Sequence, residues 1–184
     1  MRRLLILTSI LSLVVSVSLF NGTAADTASP MVVEYYQLSK EAKKQVHCLT
    51  ENILFEAGKE SDEGKLAVAM VTLNRVASSK FPDTICEVVY QKTAGVCQFS
   101  WYCDKSFLAR RKSIVGTSQY NEIRDIAIFT MMNYETIHDQ TKGALYFHAV
   151  SVRPQWNLNI TAKIGNHIFY KRSKDPELKK EYKV

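Results

Sequence analysis

A chain of 184 residues with a formal charge of +6 is long enough for one domain with a real core. It shows no internal repeat, no low-complexity segment and no second domain, so repeat architectures are excluded. The basic balance suits an anionic polymer such as a cell wall, or a membrane surface, and charge serving solubility alone is an equal reading. Nucleic acid is disfavoured as a partner, because the chain carries an export pattern and no aromatic–basic RNA-binding signature.

The N-terminus reads as an address. Arg2 and Arg3 precede an apolar run from Leu4 to Phe20, and the small residues Asn21-Gly22-Thr23-Ala24-Ala25 follow. This is the order of a secretory signal over residues 1–25. Thr8, Ser9, Ser12, Ser16 and Ser18 interrupt the run, and a retained anchor needs about 20 more uniformly apolar residues. Cleavage near Ala25 is expected, with no stable membrane insertion afterwards and an exported, periplasmic or extracellular product. A retained anchor is the competing reading. Residues 26–40 have no steady apolar period and read as a linker, 41–172 as the domain, and 173–184 as a charged tail that frays.

Cys48, Cys86, Cys97 and Cys103 all lie in the exported part, and an even count there favours two disulfides. Three pairings are possible and the sequence does not choose among them. The short Cys97–Cys103 loop makes that pair attractive and leaves Cys48 with Cys86. Zinc is the weaker reading, because no close C-x-x-C pair or finger-like histidine spacing is present. His47, His138 and His167 are scattered, so neither a metal nor a cofactor is expected.

From Val46, the residues Val46, Leu49, Ile53 and Ala57 recur at helical spacing. Glu56 lies seven positions beyond Leu49, about 20° away around the helix, and therefore beside the buried stripe. A carboxyl held there is costly to ionise, can keep its proton near neutral pH, and can act as a general acid. An ordinary exposed glutamate is the alternative. Gly58 is a stop for this helix. Ser61 can cap the next, with Asp62 and Glu63 at its positive end. Glu60 is either a second carboxylate for hydrolysis or a residue that solvates or caps a helix end.

The run Leu66–Leu73 is apolar on every side and predicts a central buried helix. Asn74 and Arg75 close it and need partners; Asn74 is either a structural amide or a ligand for substrate. Pro82-Asp83 breaks the chain, and Thr84-x-x-Glu87 is a capping-box pattern for a short helix. The loop Val96–Asp104 follows, and Ser118 opens a longer helix with Ile123, Ile126, Ala127, Thr130, Met131 and Tyr134 on one side. After Gly143 the pattern alternates, Leu145, Phe147 and Ala149 one way, Tyr146 and His148 the other. Ile164–Ile168 reads as a turn between two short strands.

Polar and aromatic residues that a core does not require gather at Glu56–Glu60, Cys97–Asp104 and Tyr146–Trp156. An acid facing aromatic and amide side chains suits a sugar polymer: rings stack on sugar faces, amides meet hydroxyls and N-acetyl groups, and the acid protonates the glycosidic oxygen. Gln98, Phe99, Ser100, Asn74, Tyr146, His148 and Trp156 are the expected substrate contacts. Tyr146, His148 and Gln98 are expected on the same side as Glu56. Bracing of the disulfide loop and a satisfied structural histidine are the bland alternatives for the loop residues and His148.

Read together, Phe55-Glu56-Ala57-Gly58-Lys59-Glu60, Glu63–Ala69 and Leu73-Asn74-Arg75-Val76 resemble the opening of the SleB-type cell-wall hydrolases. Phe81–Cys86 and Cys97–Trp101 are similar to that family's middle blocks. Gly143–Ala149, Pro154-Gln155-Trp156 and Ile164–Tyr170 are similar to its closing blocks. The resemblance spans roughly residues 47–171, with Gly58-Lys59 where Arg-Gly is common. It implies an α+β, lysozyme-like fold, mainly helical with a small antiparallel sheet. It also implies cleavage of peptidoglycan between N-acetylmuramic acid and N-acetylglucosamine, as in lytic transglycosylases, with the essential glutamate at Glu56. A monomer is expected. A wall-binding module without catalysis and a peptidoglycan amidase or peptidase are the alternatives.

Overall fold

The computed structural model describes residues 35–179; the segment read as a signal, residues 1–25, lies outside them. Helix α1 (Lys40–Ala57) starts where the Ser39 hydroxyl accepts the Ala42 amide at 3.0 Å, an N-cap that satisfies one of the donors a helix leaves free. Its stripe of Val46, Leu49, Ile53 and Ala57 is wholly buried. Gly58 ends it in a right-handed conformation (φ −61°), not the left-handed one usual for glycine caps. A Cβ on Gly58 would meet the Leu54 carbonyl oxygen.

Ser61 caps α2 (Asp62–Ala77), which is buried along nearly its whole length. It packs on α1, on the short α3 (Ile85–Val89) and on α5 (Ser118–Met132). Thr84 caps α3 through the Glu87 amide, while the Glu87 carboxylate accepts the Thr84 hydroxyl at 2.8 Å and does not reach back to the Thr84 amide. The disulfide Cys48–Cys86 ties α1 to α3, and Cys97–Cys103 closes the short loop. That loop begins in a small hairpin, β1 (Lys92–Thr93) with β2 (Val96–Cys97), whose turn residues Ala94 and Gly95 both have positive φ. A 3₁₀ turn over Ser100–Cys103 follows.

Helix α4 (Lys105–Ile114) is an element the apolar pattern does not reveal, because none of its residues is buried. Its start signal is Asp104, whose carboxylate accepts the Ser106 amide at 2.8 Å. Arg111 and Lys112 sit in its last turn, where the helix dipole favours cations.

The main sheet is antiparallel in the order β3 (Tyr146–Ala149), β5 (His167–Lys171), β4 (Asn159–Ile164). Tyr146 opposes Tyr170 and Phe147 opposes Phe169. The alternation holds: Phe147, Phe169 and Ile164 pack on Ala67 and Val71 of α2, and Tyr146 and His148 take the other face. Gly165-Asn166 is the turn between β4 and β5.

Two expectations are corrected at the ends. Tyr35 and Leu38, within the segment read as linker, pack against the core, and Arg124 lies 4.9 Å from the Tyr35 ring centroid. The tail does not fray over 172–179. Lys80 pairs with Asp175 at 2.8 Å, and the Lys179 amide donates to the Ala77 carbonyl. One of its charges, Asp175, and one backbone amide are thus taken up by the fold, which a reading of charge density alone misses.

Candidate functional site

Helix α1 delivers Glu56 at its last turn into a cavity of about 420 Å³. The walls are Phe55, Gly58 and Glu60 from α1 and the following loop, Phe107, Arg110 and Ile114 from α4, and Gln119 from α5. Phe55 holds this wall together. Its ring meets Trp101 at 4.7 Å and Phe107 edge-on at 5.2 Å, and Gln119 donates to the Gly58 carbonyl at 3.1 Å.

Burial pushes the Glu56 carboxyl up from 4.5 to about 7, against a smaller opposing pull from Arg75. The negative end of α1 acts in the same direction as burial, since Glu56 is its penultimate residue. The side chain keeps partial access to solvent. A carboxyl poised near neutrality can give up a proton and take one back with little driving force lost either way, the requirement for general acid–base work.

Arg75 is the residue that sequence reading left without a role. It is 5% exposed, its Nε donates to the Leu145 carbonyl at 2.8 Å, and its guanidinium lies 5.2 Å from the Phe81 ring and 4.8 Å from the Phe99 ring. Among the described residues its Nη1 has no hydrogen-bond partner. Burial lowers the guanidinium to about 10, partly offset by Tyr146 and Glu56. The recognisable signal was a cation at the end of a fully apolar helix.

Glu60 has a different task. Its carboxylate accepts the Asn166 amide and the Asn166 side chain, each at 3.0 Å, and these bonds lower it below the ordinary carboxylate value. It therefore clamps the β4–β5 turn against the α1–α2 loop and stays ionised. Gly165 allows this approach: its φ is +54°, and a Cβ there would strike the Glu60 carboxylate.

The other expected contacts separate. Asn74 is 1% exposed and fully used. It donates to Asp139, Thr141 and the Ala144 carbonyl, and its oxygen accepts the Tyr134 hydroxyl at 2.9 Å. It has no polar atom left for substrate. Phe99 is 2% exposed and belongs to the core. Gln98 is half-buried and donates to Thr93 at 3.2 Å, and Ser100 is exposed at the start of the 3₁₀ turn.

His148 has both ring nitrogens engaged, Nδ1 with the Ala149 carbonyl and Nε2 with the Tyr170 hydroxyl, each at 2.8 Å. A carbonyl only accepts, so Nδ1 carries a hydrogen, and in the neutral ring Nε2 accepts the hydrogen bond of the Tyr170 hydroxyl. Tyr146 and Trp156 line a second cavity, and neither they, Gln98 nor His148 lines the one at Glu56. Tyr146 nevertheless lies close enough to the buried Arg75 to act on its charge, as Glu56 does, so both border the same guanidinium.

Sequence reading also missed a buried network beside the site. Glu51, 1% exposed, accepts from Tyr90 at 2.6 Å and from Arg111 Nε at 2.7 Å, with His47 Nε2 at 3.4 Å. Arg111 thereby fastens α4, and so the wall of the cavity, to α1. Removing Arg111 would leave the buried Glu51 carboxylate short of its cationic partner, the costly way to break such a pair.

A family model described as Cell Wall Hydrolase matches residues 59–170, a segment that begins just after Glu56. Two solved structures are similar. The catalytic domain of the germination-specific lytic transglycosylase SleB from Bacillus anthracis is 27% identical, with a TM-score of 0.52, over 73% of this chain and 98% of that one. The catalytic domain of the Bacillus cereus SleB protein is 25% identical, with a TM-score of 0.48, over 70% of this chain and 91% of that one. No curated protein matches significantly. The α+β, lysozyme-like fold agrees with the first of these structures.

Proposed function

The chain belongs to the cell wall hydrolase family, and from that premise we propose that it is an exported enzyme that cleaves the peptidoglycan glycan strand between N-acetylmuramic acid and N-acetylglucosamine. The observation that carries this reading is the Glu56 carboxyl, set in an open cavity and raised to about 7. Protonated Glu56 donates its hydrogen to the glycosidic oxygen, and the bond from that oxygen to the muramic acid anomeric carbon breaks. The 6-hydroxyl of the same muramic acid attacks that carbon, and the Glu56 carboxylate takes the hydroxyl proton. One carboxyl thus serves both steps, and an anhydro end results. The similarity to the SleB lytic transglycosylase catalytic domain supports this over water as nucleophile, and Glu60, held ionised by Asn166, has no free geometry for a nucleophile's role.

Export is supported by the signal pattern and by the use of all four cysteines in disulfides. Among the described residues no helix is long and apolar enough to cross a membrane. The disulfides also leave no thiol nucleophile for a cysteine-type amidase or peptidase. We read the protein as a monomer acting on peptidoglycan.

The test is digestion of purified sacculi by the wild type and Glu56→Gln, with mass spectrometry of the released fragments. Anhydro-muramyl ends are expected from the wild type and none from the variant, a loss of at least about 10²-fold. Reducing ends would reassign the second step to water. A folded Glu56→Gln protein with near-wild-type turnover would remove Glu56 from the chemistry.

A further inference from the structure

The second cavity, about 380 Å³, lies on the outer face of the sheet and is lined by Tyr146, Gln155, Trp156, Asn157, Leu158 and Arg172. Trp156 is 45% exposed, yet its position is fixed. It meets His148 at 5.4 Å and Tyr170 at 5.7 Å, both near-perpendicular, and the His148–Tyr170 hydrogen bond locks those two rings together. A large apolar ring is thereby held open to solvent by groups that are themselves immobilised, which lowers the entropy lost when a ligand binds.

The polar groups around it are not satisfied by charge or hydrogen-bond partners in the fold. Among the described residues Arg172 forms no ion pair; its guanidinium lies 5.2 Å from the Tyr146 ring centroid. The nearest carboxylate in sequence, Asp175, is occupied by Lys80 and by the Arg172 backbone amide. The Gln155 and Asn157 side chains are exposed and make no hydrogen bond to protein among the described residues. An unpaired guanidinium, two free amides and a fixed indole in one recess match a ligand that is amide-rich, partly apolar and carboxylate-bearing. A neutral glycan would meet the indole and the amides but leave the cation without a counter-charge.

We propose that this recess binds the carboxylate-bearing peptide stem of a muramic acid residue, with Arg172 pairing the carboxylate, Gln155 and Asn157 meeting peptide amides, and Trp156 covering an apolar stem side chain. The assignment rests on the peptidoglycan reading and adds to it a preference for strands that keep their stems. A glycan strand occupying the Glu56 cavity would be held at this second point by its peptide and not by its sugars.

The experiment uses the full chain carrying Glu56→Gln, so that the polymer is not consumed, and measures co-sedimentation with sacculi fixed to beads through their glycan, in two forms. One form has intact stems; the other has been stripped of them with an amidase, and the lactyl carboxylates that this hydrolysis leaves have been capped as methyl amides. The parent is expected to bind intact sacculi about tenfold more tightly than stripped ones, the factor appropriate to one charge-assisted bond. Arg172→Gln should abolish that difference and leave binding to stripped sacculi unchanged, and Arg172→Lys should restore part of it. Trp156→Ala should weaken binding to intact sacculi more than to stripped ones. Equal loss on both polymers with Arg172→Gln, or no loss on either, would overturn the proposal. A parent that binds neither polymer would overturn the peptidoglycan reading itself, a pattern distinct from loss of the difference alone.

Discussion

Replacing Glu56 by Gln keeps the shape of the protonated side chain and removes its ionisation, so the variant tests the electrostatics of the cavity through stability as well as activity. In the folded protein the carboxyl is raised from 4.5 to about 7, chiefly by burial. The folded state therefore holds this proton more tightly than the unfolded chain does. Its contribution to stability is fully present below about pH 4.5 and is lost as pH rises through about 7. At roughly 1.4 kcal/mol per tenfold change in proton affinity, the displacement is worth no more than about 3.5 kcal/mol. Glutamine carries no such burden. Urea denaturation of both proteins at half-unit pH steps should show a difference in stability near its minimum at pH 4 that grows in favour of Glu56→Gln up to pH 7 and then levels off. The same variant should be inactive on sacculi. Parallel stability curves across this pH range would show that burial does not hold the proton on Glu56, which would then have no proton to give near neutrality.

If protonated Glu56 is the active form, glycan cleavage by the wild type should fall on the alkaline side with a midpoint near pH 7. Arg75→Gln should move that midpoint upward, because the lost cation opposed the rise; an unmoved midpoint in a folded variant would detach Arg75 from the site. Reduction should destabilise the domain by about 2–5 kcal/mol for the Cys48–Cys86 bridge, and thiol titration of the denatured, unreduced protein should find no free thiols; four would refute the pairing. Asn74→Ala should cost about 1–3 kcal/mol by stranding the groups it satisfies, while turnover per folded molecule stays close to wild type. A selective loss of turnover without a loss of stability would return Asn74 to the substrate site.

Local pattern was enough to read much of this chain. The stripe Val46, Leu49, Ile53 and Ala57 placed α1 and set Glu56 beside its buried face; the uniform apolarity of Leu66–Leu73 made α2 central; and alternation after Gly143 turned Phe147 inward and Tyr146 outward. Each depends on the fixed period of a helix or strand, which one residue's neighbours determine. Helix α4 escaped because it is held through the Phe107 ring and through Arg111, which reaches Glu51, Tyr90 and Trp101, and such contacts leave no apolar period in the sequence. The tasks of Asn74, Glu60 and Arg75 were decided by partners about 70 to 106 positions away. Whether a polar side chain is spent on the fold or left free for a ligand depends on what lies opposite it in space. For that reason the sequence determined that Glu56 borders the core, and only the tertiary structure decided that Tyr146 and Trp156 share a recess with Arg172.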